Sequence, residues 1–502
     1  MRFFEILILL NLLYSLVFLF FLKKNRRLLI LSSCLLSIIL LCHAVIEGTR
    51  WQMVPAYLFT VILFLITLGR IFRTGPGKIG RSSPARRVMR MAGIFFTFLL
   101  LILTLVPPIA LPVFKLPEPS GPLAVGSTTM FFRDTTRLDL LSGEMNRYRE
   151  LSVRVWYPAI PGSESKKLPY MQADEARFMA EHFDMPSFLL SHFNLVKTDS
   201  YQNATPLAGT YPVVFYSPSG DLVQNTTLFQ ELASHGYIVF STGHPYWNAF
   251  YYDSIGQAIP FDNDNAYYKA LWDEENLDAV SALKEEITRA PNLEMKKEAQ
   301  EKLNAHMPLE IADVRLWSED LSFLLDLLED PVQNNSLIMR HIDASRAGVI
   351  GFSKGGSAAG QFSVSDSRCR AGINLSGFMF GDAVNTSIAI PFMIMESIEE
   401  WCTDCRPICE AFYEDAQSEA YMVRIKGARH GNFSDWAMVG PLLRISGMIG
   451  PINGHRFLNI QNHYVLSFFD RYLKGLEASL LIKDASNYPE VDFSSRNTTA
   501  PS

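Results

Sequence analysis

Acidic residues are scarce in the first ~115 positions of this 502-residue chain, where long apolar runs dominate. That excludes an ordinary soluble domain for this segment and places it in the membrane class. Nothing in the remainder suggests nucleotide binding: neither G-x-G-x-x-G nor a Walker A sequence follows its first apolar strand. No internal repeat is evident, which excludes a solenoid. The net charge of −6 gives no hint of nucleic-acid binding. Cysteine is used modestly, six in all. Cys34 and Cys42 fall in an apolar run and read as small fillers. Cys402, Cys405 and Cys409 have the spacing C-x2-C-x3-C, but no histidine lies near enough to complete a zinc site. With Cys369 they are expected to form disulfides of unassigned pairing.

What is present at the N-terminus is four apolar segments, at about 4–22, 28–46, 53–71 and 91–111, each long enough for a membrane helix. There is no basic n-region beyond Arg2 and no small-residue cleavage site, which argues against a cleaved signal peptide. Pro107 and Pro108 are expected to break the outer turn of the fourth segment. The loops at 23–27 and 70–90 are rich in Lys and Arg, and the loop at 47–52 is not. Basic loops stay in the cytoplasm, so everything after about Leu111 is expected outside. Ionisable residues in the spans are few beyond His43, which argues against a transporter. Asn-x-Ser/Thr sequons at Asn374 and Asn432 lie where a glycan would obstruct the site described below. They read as chance, and the expected location is an integral protein of a bacterial inner membrane. The division expected is an anchor at 1–111, a Pro-rich linker at 112–126, a catalytic-type domain at 127–483 and a polar, frayed tail at 484–502.

In the outer domain, short apolar strands alternate with helices. Strands are expected at about 151–157, 211–216, 237–240, 347–350, 371–375, 392–395 and 420–425. Helices are expected at about 226–235, 309–328, 357–363 and 462–473. This alternation predicts an α/β fold: a mostly parallel, doubly wound sheet with helices on both faces. An insertion at about 251–307, opening with aromatics, is expected to cap the site end of the sheet.

At 348–360 the sequence reads GVIGFSKGGSAAG. A serine boxed by glycines after an apolar strand is the G-x-S-x-G signature of a nucleophile elbow, where a strained serine tops a tight strand-to-helix turn. Ser353 is the candidate nucleophile, and the fold expected is that of an α/β-hydrolase. A serine needs a base, and His430 in IKGARHGNFSDW (425–436) follows the last core strand in the required chain order. Oxyanion donors are expected from the backbone N–H groups of Lys354 and of Gly220, in the loop after the 211–216 strand. The Lys354 side chain is expected in a surface salt bridge.

The order and spacing of four segments are similar to those of the platelet-activating-factor acetylhydrolase family, the plasma-type group VII phospholipases A2. They are YPVVFYSPSG with LFQELASHGYIVFSTGHP, the elbow GVIGFSKGG, RCRAGINLSGFMFGD, and IKGARHGNFSD. The resemblance runs from about 125 to 475. It implies a calcium-independent serine esterase, with no cofactor or metal, acting on short or oxidised sn-2 acyl groups of phospholipids. Two departures stand out. Pro218-Ser219 replaces the family's His-Gly in the oxyanion loop. Ser376 stands where the family places its triad acid, and a serine does not stabilise an imidazolium as a carboxylate does. An acid after the next strand is the alternative: Glu400 fits best, with Glu399 and Glu396 as rivals and Asp382 more distant. A Ser-His dyad is also open. The leading expectation is a membrane-anchored esterase with the lipid bilayer and an ester substrate as partners. The alternatives are a general carboxylesterase for non-lipid esters, or a catalytically impaired receptor or scaffold.

Overall fold

A computed structural model describes the chain apart from residues 21–25, 73–83, 143, 254, 263, 331–335, 399–404, 483–487 and 497–502. It divides into two compact units. One comprises Met1–Phe114 with the short segments Ser191–Leu195 and Val439–Ile445; the other holds the rest.

The first unit is built on helices Phe3–Phe20, Arg26–Cys42, Val54–Phe72 and Pro84–Ala110. Ile8, Leu12, Met53, Ala56, Phe59 and Leu63 form its buried seam. Its outward faces are also apolar, with Leu41, Phe95 and Phe96 exposed. Among the described residues, three stretches are long and apolar enough to cross a membrane: Ile30–Glu47, Trp51–Gly69 and Met91–Ala110. The sequence pattern suggests four, but the described apolar part of the first helix, Phe3–Ser15, is shorter. Pro107 and Pro108 do not break the last helix, which runs on to Ala110, with the Leu111 N–H donating to Pro107 O at 3.0 Å. Each proline forfeits its own N–H bond, but its fixed φ near −65° is compatible with the helix. Glu5, overlooked among the apolar residues, is fully buried and held by the Arg50 guanidinium at 2.7 Å. A buried carboxylate of this kind needs such a partner.

In the second unit the strands are β1 (Ala124–Leu138), β2 (Tyr148–Ile160), β3 (Lys167–Pro169), β4 (Lys197–Gln202), β5 (Thr205–Pro206), β6 (Tyr211–Ser217), β7 (Ile238–Thr242), β8 (Phe250–Tyr252), β9 (Ala258–Pro260), β10 (Ile342–Phe352), β11 (Cys369–Leu375), β12 (Phe392–Ser397), β13 (Ala420–Ile425) and β14 (Val491–Arg496). Twelve form one sheet, ordered β14-β13-β12-β11-β10-β6-β7-β2-β1-β4-β3, with β5 beside β2. From β7 through β6 to β13 all neighbours are parallel. These strands are nearly continuous apolar runs because helices cover both faces. Apart from β2, the antiparallel flank escapes a reading for buried runs, since the second half of β1 is largely exposed. β14 lies within the stretch expected to fray; it pairs antiparallel with β13 and buries Phe493 only in part. Cys369 and Cys409 are buried free thiols rather than halves of disulfides. Cys402 lies outside the described residues.

The insertion begins with the β8-β9 hairpin and continues as helices Ala266–Glu275, Asp278–Arg289 and Leu293–His306. It leads into the Pro308–Glu329 helix, with proline at its first turn where a missing N–H costs nothing.

Candidate active site

Ser353 sits between β10 and the helix Lys354–Ser365 with φ 56° and ψ −125°, a conformation a non-glycine residue adopts only under constraint. The constraint is visible. A Cβ on Gly351 would stand 1.7 Å from Gly355 O, and one on Gly355 would stand 1.9 Å from Ser217 O. Larger residues at either place would prevent the turn from closing. The Ser353 N–H donates to Leu375 O at 3.1 Å, tying the elbow to the end of β11.

His430 opens a one-turn helix, His430–Phe433, after β13. Asn432 fixes this corner: its Oδ1 accepts from the N–H groups of Arg429 at 2.8 Å and Gly450 at 2.7 Å. The imidazole stacks on Phe352, the residue before Ser353, with centroids 4.8 Å apart. Burial pushes the imidazole down to about 4, and a hydrogen bond to Ser376 pushes back only in part.

The Nδ1 atom of His430 lies 3.0 Å from Ser376 Oγ. Ser376 thus stands where the family resemblance puts the acid, and it meets the histidine as an acid would. It too has positive φ, 51°. Among the proposed carboxylates, Glu396 is bonded to Arg424 at 2.5 Å, and Asp382 to Arg315 and Gln361. Glu396 is the last residue but one of β12, and the neighbouring β13 sets Arg424 directly opposite it, which explains the pairing. Glu399 and Glu400 lie outside the described residues.

The oxyanion loop differs from expectation. Gly220 is at the cavity wall, but its N–H donates to Gln224 Oε1 at 2.8 Å, and so does the Asp221 N–H, at 3.0 Å. The Gln224 amide oxygen thus holds both N–H groups of this loop. The Lys354 side chain is buried, not superficial. Its Nζ bonds Glu310 at 2.8 Å and Asp313 at 2.5 Å and lies 3.8 Å above the Trp247 ring. Two further buried acids brace the site. Asp435, the last residue of the His-x-Asn-Phe-x-Asp segment, accepts from the Thr227 N–H at 3.2 Å, while its own N–H donates to Gln224 O at 2.8 Å. Burial pushes Asp435 up to about 8 and Asp221 up to about 7.

Ser353, His430, Gly220 and Gln224 share one cavity of about 510 Å³. Its other walls are aromatic: Phe183, Trp247, Phe261, Tyr268, Trp272 and Trp436. Phe261, Tyr268 and Trp272 come from the insertion. Gln224 carries a faint sequence signal, as a polar residue in the apolar approach to the 226–235 helix.

Residues 109–481 match the family model described as platelet-activating factor acetylhydrolase, isoform II. The chain belongs to that family. A platelet-activating factor acetylhydrolase of Cavia porcellus is 27% identical over 380 residues, covering 72% of this chain and 78% of the relative. One of Bos taurus is 25% identical over 387 residues, with the same coverage. A probable 1-alkyl-2-acetylglycerophosphocholine esterase of Arthroderma benhamiae is 31% identical over 170 residues, 30% of this chain and 43% of that one. Among solved structures, a ferulic acid esterase from Streptomyces cinnamoneus superposes with a TM-score of 0.59 at 24% identity, covering 76% of this chain and 99% of that one. It shares the α/β-hydrolase fold. Family membership places this chain among ester-hydrolysing enzymes.

Proposed function

We propose that the chain is a membrane-anchored serine esterase that cleaves short or oxidised acyl chains from phospholipids through an acyl-enzyme on Ser353. The observation that carries this reading is the strained Ser353 sharing an aromatic cavity with His430, whose Nδ1 is held by Ser376. His430, in the tautomer that donates Nδ1–H to Ser376 Oγ, presents Nε2 as a base. Ser353 Oγ attacks the ester carbonyl as its proton passes to Nε2. The N–H groups of Lys354 and Gly220 receive the oxyanion once Gln224 yields. The imidazolium then protonates the leaving alcohol, and water, deprotonated by the same histidine, releases the acyl group.

A cavity of about 510 Å³ with aromatic walls fits a small acyl group and part of an apolar chain. The insertion acts as a cap, since three of its aromatics line that cavity. The apolar helices of the first unit would anchor the enzyme, and by the positive-inside rule the basic loops at 23–27 and 70–90 favour the esterase unit on the extracytoplasmic side. The test is hydrolysis of phosphatidylcholines of increasing sn-2 length by the full chain in detergent, beside p-nitrophenyl acetate. The reading predicts a rate that falls steeply beyond short acyl chains. Activity on p-nitrophenyl acetate and none on any phospholipid would point to a general carboxylesterase instead.

A further inference from the structure

Behind the oxyanion loop lies a second Ser-His-Asp chain that no substrate can reach. Ser217 Oγ is 2.9 Å from His244 Nε2, and His244 Nδ1 is 3.0 Å from Asp320 Oδ2. All three residues are fully buried. Arg149 donates to both oxygens of Asp320, at 2.6 and 2.7 Å, and Arg137 adds a third bond at 3.1 Å. Burial alone would raise the Asp320 carboxyl, but the Arg149 guanidinium holds it well below the usual range. An ionised Asp320 can only accept, so His244 donates through Nδ1. Burial favours the neutral form of His244, in which Nε2 is then an acceptor, so the Ser217 hydroxyl donates to it. Each hydrogen in the chain has one place to go.

This chain ends at the joint of the oxyanion loop. Ser217 is the last residue of β6 and pairs in register with Gly351, two residues before the nucleophile. Its carbonyl is the group that leaves no room for a side chain at Gly355. Beyond Ser217 come Pro218, Ser219 and Gly220. The same cluster holds the loop a second time. His244 stacks on Trp317 at 4.1 Å, and Trp317 packs edge-on against Trp247. The Trp247 indole N–H donates to Ser219 O at 3.0 Å. That carbonyl and the Gly220 N–H belong to one planar trans peptide and point in opposite directions. Fixing the Ser219 carbonyl therefore aims the Gly220 N–H.

We infer that the buried Asp320–His244–Ser217 chain, packed through Trp317 onto Trp247, is a positioning device that sets the direction of the Gly220 N–H, which donates to Gln224 Oε1 in this structure and is left facing the transition-state oxyanion once Gln224 yields. These are positioning residues, since none of the three touches the reacting atoms. The inference rests on the esterase reading above. A donor that is missing altogether costs about 10²–10³ in kcat; one that is present but misaimed should cost about 10–10²-fold.

The experiment compares wild type with Ser217→Ala in kcat, in KM for p-nitrophenyl acetate, and in affinity for an alkyl trifluoromethyl ketone. That ketone adds to an activated serine and places an oxyanion in the hole. The expected result is a kcat lower by about 10–10²-fold, KM within about 3-fold, and ketone affinity weakened by the same factor as kcat. Loosened packing alone would not couple kcat to ketone affinity while sparing KM. If Ser217→Ala does not fold, Ser217→Cys replaces it, with nearly the same volume and a much weaker donor. A variant whose kcat and ketone affinity match wild type overturns the inference. A variant whose kcat and KM change while its ketone affinity holds also overturns it. If wild type neither hydrolyses the ester nor binds the ketone, the esterase reading fails and this inference with it. A fully active wild type beside an indifferent Ser217→Ala sinks the positioning device alone.

Discussion

Replacing Ser376 by aspartate should improve this enzyme. His430 is held near 4 rather than near the ~6.5 of an exposed imidazole. Forming the imidazolium in the transition state therefore costs about 3 kcal/mol more than in water, reduced by whatever solvent reaches this mostly buried residue. A serine hydroxyl at 3.0 Å offers Nδ1 a dipole, not a charge. A carboxylate in its place would raise the imidazole by about 1–3 pH units. The backbone favours the change, because Ser376 has φ 51°, a conformation aspartate tolerates better than most side chains. The expected outcome is a kcat/KM higher by about 10–10²-fold at pH 8, part of the roughly 10⁴-fold that a triad carboxylate supplies. The acid limb of the profile should move from near pH 4 to about pH 5–7, since the base acts only when neutral. The assay is kcat/KM for p-nitrophenyl acetate from pH 3.5 to 9, with Ser376→Asn as the neutral control. A folded Ser376→Asp enzyme with an unmoved acid limb and no gain over Ser376→Asn would refute the assignment of Ser376 to the acid's place.

Other outcomes follow from the same geometry. Ser353→Gly should stabilise the fold by about 1 kcal/mol by relieving the positive φ, read as a rise in Tm, while hydrolysis is lost. Asp221 and Asp435 are raised when folded to about 7 and about 8, far above the ~3.9 of an exposed aspartate. The folded state binds the extra protons, so stability is full below about pH 4 and is lost as pH rises through the folded values. Asp435→Asn should flatten that decline in urea melts between pH 5 and 9; an unchanged slope would show that these acids do not govern it. Single cysteines placed at Ser163 and Ser82, in a background without native cysteines, should divide in intact cells. An impermeant maleimide is expected to label Ser163→Cys, which is on the exposed surface of the esterase unit, and to spare Ser82→Cys in the basic loop; the reverse would invert the topology.

Much of the parallel half of the sheet is legible in the sequence, because strands buried on both faces are unbroken apolar runs bounded by turns. The flank is not. Only β2, expected at 151–157, shows there; β1 and β14 are partly exposed, and β14 pairs with β13 some seventy residues upstream. Ser353 and His430 announce themselves through glycine spacing and chain order. Ser376 is visible only as a departure, and its contact with Nδ1 needs the positive φ that turns it toward His430. The burial of Lys354 escapes a local reading because its partners Glu310 and Asp313 lie some forty residues upstream. His244 looks like one of several histidines in unpromising places until the fold sets it between Ser217 and Asp320.

The central claim is that Ser353 is an activated nucleophile, and the most direct measurement is covalent labelling of the full chain with a fluorophosphonate, followed by mass spectrometry of the modified peptide. The account predicts stoichiometric modification on Ser353, absent from Ser353→Ala. A folded wild type that takes up no label, or takes it up on another residue, would contradict it.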